Sequence, residues 1–281
     1  MGDLSEKLYL KMVEEPVKWA IGIAGLAWKW TNLDPWQRDL MLARDRFLIL
    51  NCSRQSGKSS TLMIKAVWTA LTQANSLILI VAEQRQSNED LRKCRELRRA
   101  YDKYLRIATE GRVTLPLVNE SVTTIEFGNG SRIVALPGNE KVRGFSAPAL
   151  VIIDEAAYLD DTVFIGIDPM LEVSQGQLVL ASTPNGTNGF FYTEWNNPRY
   201  RRFQIPWHQC PRIAPESIQQ KKMLYGEAYV KQEYGTEFLD EIAALFTERS
   251  LRESIENEEE VFDDEMRNIT KMLEGGVELV S

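Results

Sequence analysis

The sequence predicts an α/β fold in which a mostly parallel central sheet is flanked by helices. Short apolar runs alternate with stretches of helical periodicity, and continuous apolar runs are typical of parallel strands buried on both faces. Two of these runs end in residues that suit phosphate or metal binding, at the sheet edge where open α/β folds place ligands. The predicted strands of the central sheet are 47–50, 77–82, 150–153 and 177–181. A hairpin is predicted from 122–127 and 132–136, and a further strand at 203–207.

The first element to justify is the segment Cys52–Ser59, Cys-Ser-Arg-Gln-Ser-Gly-Lys-Ser. It follows the apolar run 47–50 and precedes residues 60–68, whose apolar side chains recur at helical spacing. A strand, a tight loop ending in Gly-Lys-Ser and a helix together wrap backbone N–H groups around a polyphosphate. The segment therefore predicts a P-loop that binds ATP.

Three residues of this loop have separate roles in such a site. Gly57 lets the backbone approach the ligand, Lys58 can reach the β- and γ-phosphates, and the Ser59 hydroxyl can ligate Mg²⁺. The usual pattern has glycine where this chain has Cys52. The alternative is an ordinary strand–turn–helix with an exposed Lys58.

The third apolar run, 150–153, ends in the acidic pair Asp154 and Glu155. Asp154 is expected to support Mg²⁺ together with Ser59, as a Walker B aspartate does. Glu155 would orient and deprotonate the attacking water. Alternatively, the two carboxylates only cap the helix predicted to follow them, where its dipole favours negative charge.

The fourth run, 177–181, leads into Ser182 and Thr183, and Pro184 and Gly186 then break the regular structure. Hydroxyl side chains at the end of a strand can sense a γ-phosphate or the water that attacks it. The alternative is a simple turn.

Together these segments resemble the ATPase (motor) domain of a bacteriophage or viral terminase large subunit. The resemblance spans roughly residues 33–246 and depends on the order of four segments: Leu33–Gln37, Arg54–Ser59, Asp154–Ala157 and Ser182–Pro184. It implies a P-loop NTPase fold of the additional-strand, catalytic-glutamate type, with a small lid subdomain.

Residue roles follow from the resemblance. Gln37 would bind the adenine edge, Glu155 would be the catalytic base, and Ser59 and Asp154 would hold Mg²⁺. Ser182 and Thr183 would couple hydrolysis to motion. The set expected to contact nucleotide comprises Gln37, Arg54, Gln55, Ser56, Gly57, Lys58, Ser59, Ser60, Asp154, Ser182 and Thr183.

Two arginines compete for the role of arginine finger, a guanidinium placed on the transferring phosphoryl group. Arg143 lies in an Arg-Gly segment between a predicted hairpin and the strand 150–153, and the resemblance implies that it acts in trans. Arg54, inside the P-loop, could act in cis. Arg143 could instead be a surface residue or pair with Glu140.

The resemblance also implies partners and a location. The expected function is ATP hydrolysis that drives double-stranded viral DNA into a procapsid, in the host cell cytoplasm. The partners would be DNA, a terminase small subunit and further copies of the chain in a ring on a portal. Two alternatives stay open: a helicase-like DNA-dependent ATPase, and a nucleotide-dependent assembly subunit that does not hydrolyse ATP.

The chain divides by composition into a helical N-terminal arm (1–32), an ATPase core (33–190), a lid (191–246) and an acidic tail (247–281). Full terminases continue into a ribonuclease-H-type nuclease with two metals, which would not fit before Ser281. We therefore expect a nuclease to lie outside this chain and no DNA cleavage by it.

The charge distribution leaves DNA binding open. The net charge is −7, but eight acidic residues and no basic ones lie between Glu253 and Glu265, so the rest of the chain carries a net charge of +1. One predicted helix is rich in basic residues and could contact DNA phosphates. Alternatively, it is a solvated helix whose acidic residues neutralise that positive charge. Its basic residues are Arg92, Lys93, Arg95, Arg98, Arg99, Lys103 and Arg106.

Other site classes are disfavoured by composition. No apolar run reaches the ~18 residues of a membrane span. Cys52, Cys94 and Cys210 form no C-x-x-C pair and are odd in number, so neither zinc nor a disulfide framework is expected. The single histidine, His208, is expected to be structural.

Overall fold

A computed structural model describes residues 7, 11, 12, 14–139 and 144–240 of the 281-residue chain. The helices are α1 (Pro16–Trp28), α2 (Pro35–Leu42), α3 (Lys58–Thr72), α4 (Gln84–Ala108), α5 (Asp161–Ser174), α6 (Gly189–Trp195) and α7 (Pro215–Glu233). The strands are β1 (Phe47–Cys52), β2 (Leu77–Ala82), β3 (Leu117–Glu120), β4 (Thr124–Phe127), β5 (Arg132–Pro137), β6 (Leu150–Asp154), β7 (Gln177–Ser182) and β8 (Arg201–Ile205). Arg143, Glu140 and the predicted acidic tail lie outside the described residues.

The strands form a single eight-stranded sheet in the order β3-β4-β5-β2-β6-β7-β1-β8. The six strands β5-β2-β6-β7-β1-β8 pair in parallel with their neighbours in the sheet. Strands β3, β4 and β5 pair antiparallel and form a meander at one edge. Every residue of β2 and β6 is buried, as expected for strands covered on both faces. The predicted α/β class with a mostly parallel sheet is confirmed.

Helices cover both faces of the sheet. Alternate residues of a strand point to opposite faces, so Ile78 and Ile80 of β2 pack in one apolar core and Leu79 in the other. The first core also receives α1, α2, α3 and α4, and the second receives α5 and α6. Because α3 is enclosed by these neighbours, twelve of its side chains are buried, including Lys58 at its first turn. This enclosure fixes the start of α3 beneath the carboxyl ends of the strands.

The segment after residue 190 is connected to the central sheet. Strand β8 pairs in parallel with β1, and the Ser53 N–H donates to the Ile205 carbonyl at 2.8 Å. Two helices were predicted between 215 and 233, and they form one element, α7, that kinks at Gly226 (φ 84°, ψ 168°). This conformation suits glycine because a Cβ would be strained there. The division of the chain at residue 190 stays a prediction.

No helix within the described parts of the chain is both long and apolar enough to cross a membrane.

The core contains one lysine that is almost completely buried. Lys65 on α3 is 1% exposed, and its Nζ donates to the carbonyls of Leu40 at 3.1 Å and Ala43 at 3.2 Å. Burial, together with the nearby Arg44, lowers the pKa of Lys65 to about 7. The lysine therefore satisfies the carbonyls that end α2, at the cost of burying a cationic group.

This burial predicts a pH dependence of stability. The unfolded chain holds the Lys65 proton up to its ordinary pKa of 10.5, whereas the folded chain loses it near pH 7. Stability contributed at this site should therefore rise from about pH 7 to about pH 10, by at most about 1.4 kcal/mol per pH unit. Urea unfolding at pH 7, 8 and 9 measures the effect: the free energy of unfolding of the wild type should rise with pH relative to that of Lys65→Met. The exposed Lys103→Met is the control, and parallel curves for wild type and Lys65→Met would contradict the prediction.

Candidate active site

The loop between β1 and α3 forms a concave cradle. Gln55 (φ 60°) and Gly57 (φ 88°) both adopt left-handed backbone conformations that turn the chain sharply. A Cβ at Gly57 would be strained by this conformation and would stand 3.1 Å from Gln37 Nε2, so glycine is strongly favoured there. The cradle opens on a cavity of about 220 Å³ at the N-terminus of α3, where backbone N–H groups and the helix dipole favour an anion.

The predicted nucleotide residues from Arg54 to Ser60 all line this cavity, together with Ser53, Lys93, Glu155 and Thr183. Cys52, which replaces the usual first glycine, is buried as the last residue of β1 and pairs with Ile205 of β8. At this position the chain is still extended, so the conformational freedom of glycine is not needed. The departure from the usual pattern therefore leaves the cradle intact.

Lys58 lies against the predicted metal-binding residue Asp154 and the predicted catalytic base Glu155. Its Nζ is 3.2 Å from Asp154 Oδ1 and 2.9 Å from Glu155 Oε1, and its side chain is only 6% exposed. Burial disfavours the charged lysine, but the two carboxylates outweigh it and raise the pKa of Lys58. Lys58 is therefore a buried cation at the base of the cavity and not an exposed loop lysine.

Ser59 and Asp154 provide a pair of oxygen ligands. Asp154 ends β6 and is fully buried, and the Ser59 hydroxyl lies close enough to act on its carboxylate. Burial acts to raise the pKa of Asp154, but Lys58 and the Ser59 hydroxyl outweigh it and lower that pKa. Mg²⁺ takes oxygen ligands and commonly uses only one or two carboxylates beside substrate phosphates. The pair fits Mg²⁺, and the described residues contain no cluster of three or more His, Cys, Asp or Glu for another kind of metal site.

Glu155 is held in an unusual conformation. Its backbone is left-handed (φ 54°, ψ 41°), which is uncommon for a residue with a Cβ and clusters at functional sites. It precedes the short 3₁₀ turn Ala156–Tyr158 but makes no side-chain cap hydrogen bond. Its carboxylate instead accepts a hydrogen bond from Ser182 Oγ at 3.4 Å. The geometry favours a carboxylate presented to the cavity over a helix cap.

Ser182 and Thr183 connect the end of β7 to the same network. Ser182 contacts Glu155, and Thr183 Oγ1 lies 3.2 Å from the Tyr158 hydroxyl, just after the acidic pair. Both residues are buried. The strand end thus touches Glu155 and the turn that follows the acidic pair, and its coupling role stays a prediction.

Arg54 is engaged by a residue that the sequence did not indicate. Its Nε lies 2.6 Å from Glu233 Oε2 at the end of α7, and its backbone N–H donates to the Glu233 carbonyl at 2.8 Å. Tyr158 also donates its hydroxyl proton to Glu233, at 3.3 Å. Glu233 therefore ties the P-loop to α7 and to the turn after the acidic pair. No spacing motif marks Glu233, so only tertiary packing reveals it.

Gln37 lies directly behind the cradle. Its Oε1 accepts from the Asp34 N–H at 2.8 Å and its Nε2 donates to Thr61 Oγ1 at 2.9 Å, so the fully buried amide braces α2 against α3. Arg212, which the sequence did not single out, pairs with Asp34 at 2.7 Å and donates to the Ser56 carbonyl at 2.6 Å. These residues support the loop from behind, and adenine binding by Gln37 stays a prediction.

The basic helix α4 is mostly neutralised by its own neighbourhood. Arg92 pairs with Glu89 and Glu96, and three arginines (Arg95, Arg98 and Arg99) surround Glu120 of β3. Lys93 pairs with Asp90, and Arg106 pairs with Asp102. These pairs favour an ion-paired helix, and DNA contact by α4 stays a prediction.

Comparisons with known proteins agree with this fold. The family model described as "Terminase large subunit, T4likevirus-type, N-terminal" matches residues 49–253. No curated protein matches the sequence. Among solved structures, the large terminase ATPase domain of Thermus phage P74-26 has a TM-score of 0.61 at 20% identity, with 72% of this chain and 92% of that domain covered.

Two longer proteins are also similar. The large terminase of the thermophilic bacteriophage D6E, also solved with ADP and with ATP-γ-S, has a TM-score of 0.56 at 10% identity, with 78% of this chain and 52% of that one covered. The bacteriophage HK97 large terminase has a TM-score of 0.51 at 18% identity, with 80% and 49% covered. The chain thus spans about half of these two proteins, and at such identities the likeness concerns the fold. The family match covers most of the sequence, and the chain belongs to the terminase large subunit family, in its T4likevirus-type N-terminal part.

Proposed function

We propose that this chain binds and hydrolyses ATP, and that hydrolysis drives the movement of double-stranded viral DNA into a procapsid. The observation that carries the proposal is the contact of buried Lys58 with both Asp154 and Glu155 at the base of the P-loop cavity. A lysine for the phosphates, an aspartate for the metal and a glutamate for the water are three of the parts that phosphoryl transfer to water uses.

The chemistry follows from these positions. A bound triphosphate offers Lys58 new anionic partners, so the lysine would transfer from Glu155 to the β- and γ-phosphates. The freed Glu155 carboxylate then accepts a proton from water as the water oxygen bonds to the γ-phosphorus. The bond between that phosphorus and the β–γ bridging oxygen breaks, giving ADP and inorganic phosphate. Ser182, which donates a hydrogen bond to Glu155 from the end of β7, would sense the protonation of that carboxylate.

Mg²⁺ would be held by Ser59 and Asp154, and its charge neutralises phosphate oxygens. The chain's own contribution is to keep the Ser59 hydroxyl beside the fully buried Asp154 carboxylate.

The coupling to DNA rests on the family. The chain's membership of this family supports a role in viral DNA packaging. The ADP and ATP-γ-S complexes of the D6E terminase support nucleotide binding by a fold of this kind. Portal docking as a ring of copies, a small-subunit partner and work in the host cytoplasm belong to the same proposal. The helicase-like and non-hydrolysing alternatives gain no specific support from the site.

Metal removal tests the proposed chemistry. With Mg²⁺, the purified chain is expected to bind ATP-γ-S and to release phosphate from ATP, and EDTA is expected to reduce release to the level of a Lys58→Ala variant. Malachite-green phosphate detection and calorimetric binding measure the two steps. Phosphate release that is equal with and without Mg²⁺, or no nucleotide binding at all, would contradict the proposal.

A further inference from the structure

The first turns of α4 place three polar side chains next to the cavity. Gln86, Asp90 and Lys93 follow one another at i, i+4 and i+7, so they share a helix face. Lys93 lines the same cavity as the P-loop, and its side chain is 17% exposed. Its neighbour Arg92 points elsewhere and pairs with surface glutamates. Lys93 thus differs from the other basic residues of α4 in facing the active site.

Asp90 holds Lys93 in that position. Asp90 is fully buried, and its Oδ1 accepts from Lys93 Nζ at 3.1 Å and from Gln86 Nε2 at 3.0 Å. Its Oδ2 is buried with no hydrogen-bond partner among the described residues. Asp90 therefore fixes the position of the Lys93 ammonium beside the cavity, where a bound anion can reach it.

The cluster also lies on the acidic side of the cavity. Gln86 Nε2 reaches Asp154 Oδ2 at 3.4 Å, so Gln86 bridges Asp90 and the predicted metal-binding carboxylate. The cavity is lined by three cationic side chains, of which Arg54 is bound by Glu233 and Lys58 faces both acids. Lys93 is the third, and it lies near the acids that act on the terminal phosphate.

We infer that Lys93 is a second lysine of the nucleotide site, which contacts the terminal phosphate of ATP and lets the site distinguish triphosphate from diphosphate. Asp90 and Gln86 are positioning residues that hold Lys93 beside Asp154. The inference rests on the proposed function, since it requires a triphosphate in the cradle.

The experiment measures affinity, and not turnover, by calorimetry with Mg²⁺. Lys93→Ala is expected to weaken ATP-γ-S binding about tenfold, which is the value of one hydrogen bond to a charged group. ADP affinity is expected to change less than twofold, which also shows that the variant is folded. Lys93→Arg should recover most of the loss because it keeps the charge. Lys103→Ala, exposed on the same helix, is the matched control and should bind both nucleotides as wild type does.

The outcomes separate the inference from the proposed function. Unchanged ATP-γ-S affinity in Lys93→Ala, or an equal loss for ATP-γ-S and ADP, would overturn the role of Lys93 while nucleotide binding by the wild type stands. A wild type that binds neither nucleotide would overturn the proposed function and the inference together.

Discussion

Replacing Glu155 with glutamine is expected to lower the turnover of ATP by about 10²–10⁴-fold, the range associated with loss of a general base. Glutamine has nearly the same shape and can still accept the hydrogen bond from Ser182, but it cannot take a proton from water. ATP affinity should stay within a few-fold of wild type, because the phosphate contacts come from the cradle and Lys58. The loss should therefore fall on kcat and not on binding.

The measurement is steady-state phosphate release together with ATP-γ-S binding. Glu83→Gln, an exposed glutamate at the start of α4, is the matched control and should behave as wild type. Equal hydrolysis by wild type and Glu155→Gln would remove Glu155 as base and favour the assembly interpretation, in which ATP only joins neighbouring subunits.

The parts of the fold that the sequence predicts well are those that local pattern determines. Leu77–Ala82 was predicted with its observed bounds because a short run of six apolar residues is typical of a strand covered on both faces. Lys58, Asp154 and Glu155 were expected to meet because they follow parallel strands whose carboxyl ends share one edge of the sheet. The ion pairs at 2.9 and 3.2 Å agree with that expectation.

The parts that the sequence did not reveal depend on contacts between distant segments. Glu233 is one of several acidic residues in an unremarkable helix until α7 packs against the P-loop and brings it to Arg54. Asp90 looked like a residue that offsets surface charge, yet α4 buries it completely beside the site. Burial and pairing of single charged side chains follow from three-dimensional packing, which residue spacing does not encode.

Arg143→Ala is expected to reduce ATP turnover in the proposed ring of copies by about 10³–10⁵-fold, the range of a lost arginine finger, with ATP affinity largely intact. Arg143 lies outside the described residues, so the prediction depends on its sequence context and on the ion pair that engages the other candidate, Arg54. The guanidinium of Arg54 is already bound by Glu233 at 2.6 Å, and using it on a phosphate requires breaking that pair. Arg54→Ala should therefore have the smaller effect on turnover, and a near-normal rate for Arg143→Ala would remove Arg143 from the mechanism.

Mixing two inactive variants decides between action in cis and in trans. An Arg143→Ala subunit keeps its base, and a Glu155→Gln subunit keeps its finger. If the finger reaches into the neighbouring site, a mixed ring contains sites with an intact base and a donated arginine, and phosphate release should recover to a measurable fraction of wild type. If Arg143 serves its own subunit, each site in the ring lacks one essential group and no recovery occurs. A mixture of Glu155→Gln with Lys58→Ala is the control, because both changes lie within one subunit's site and neither is replaced by a neighbour's arginine.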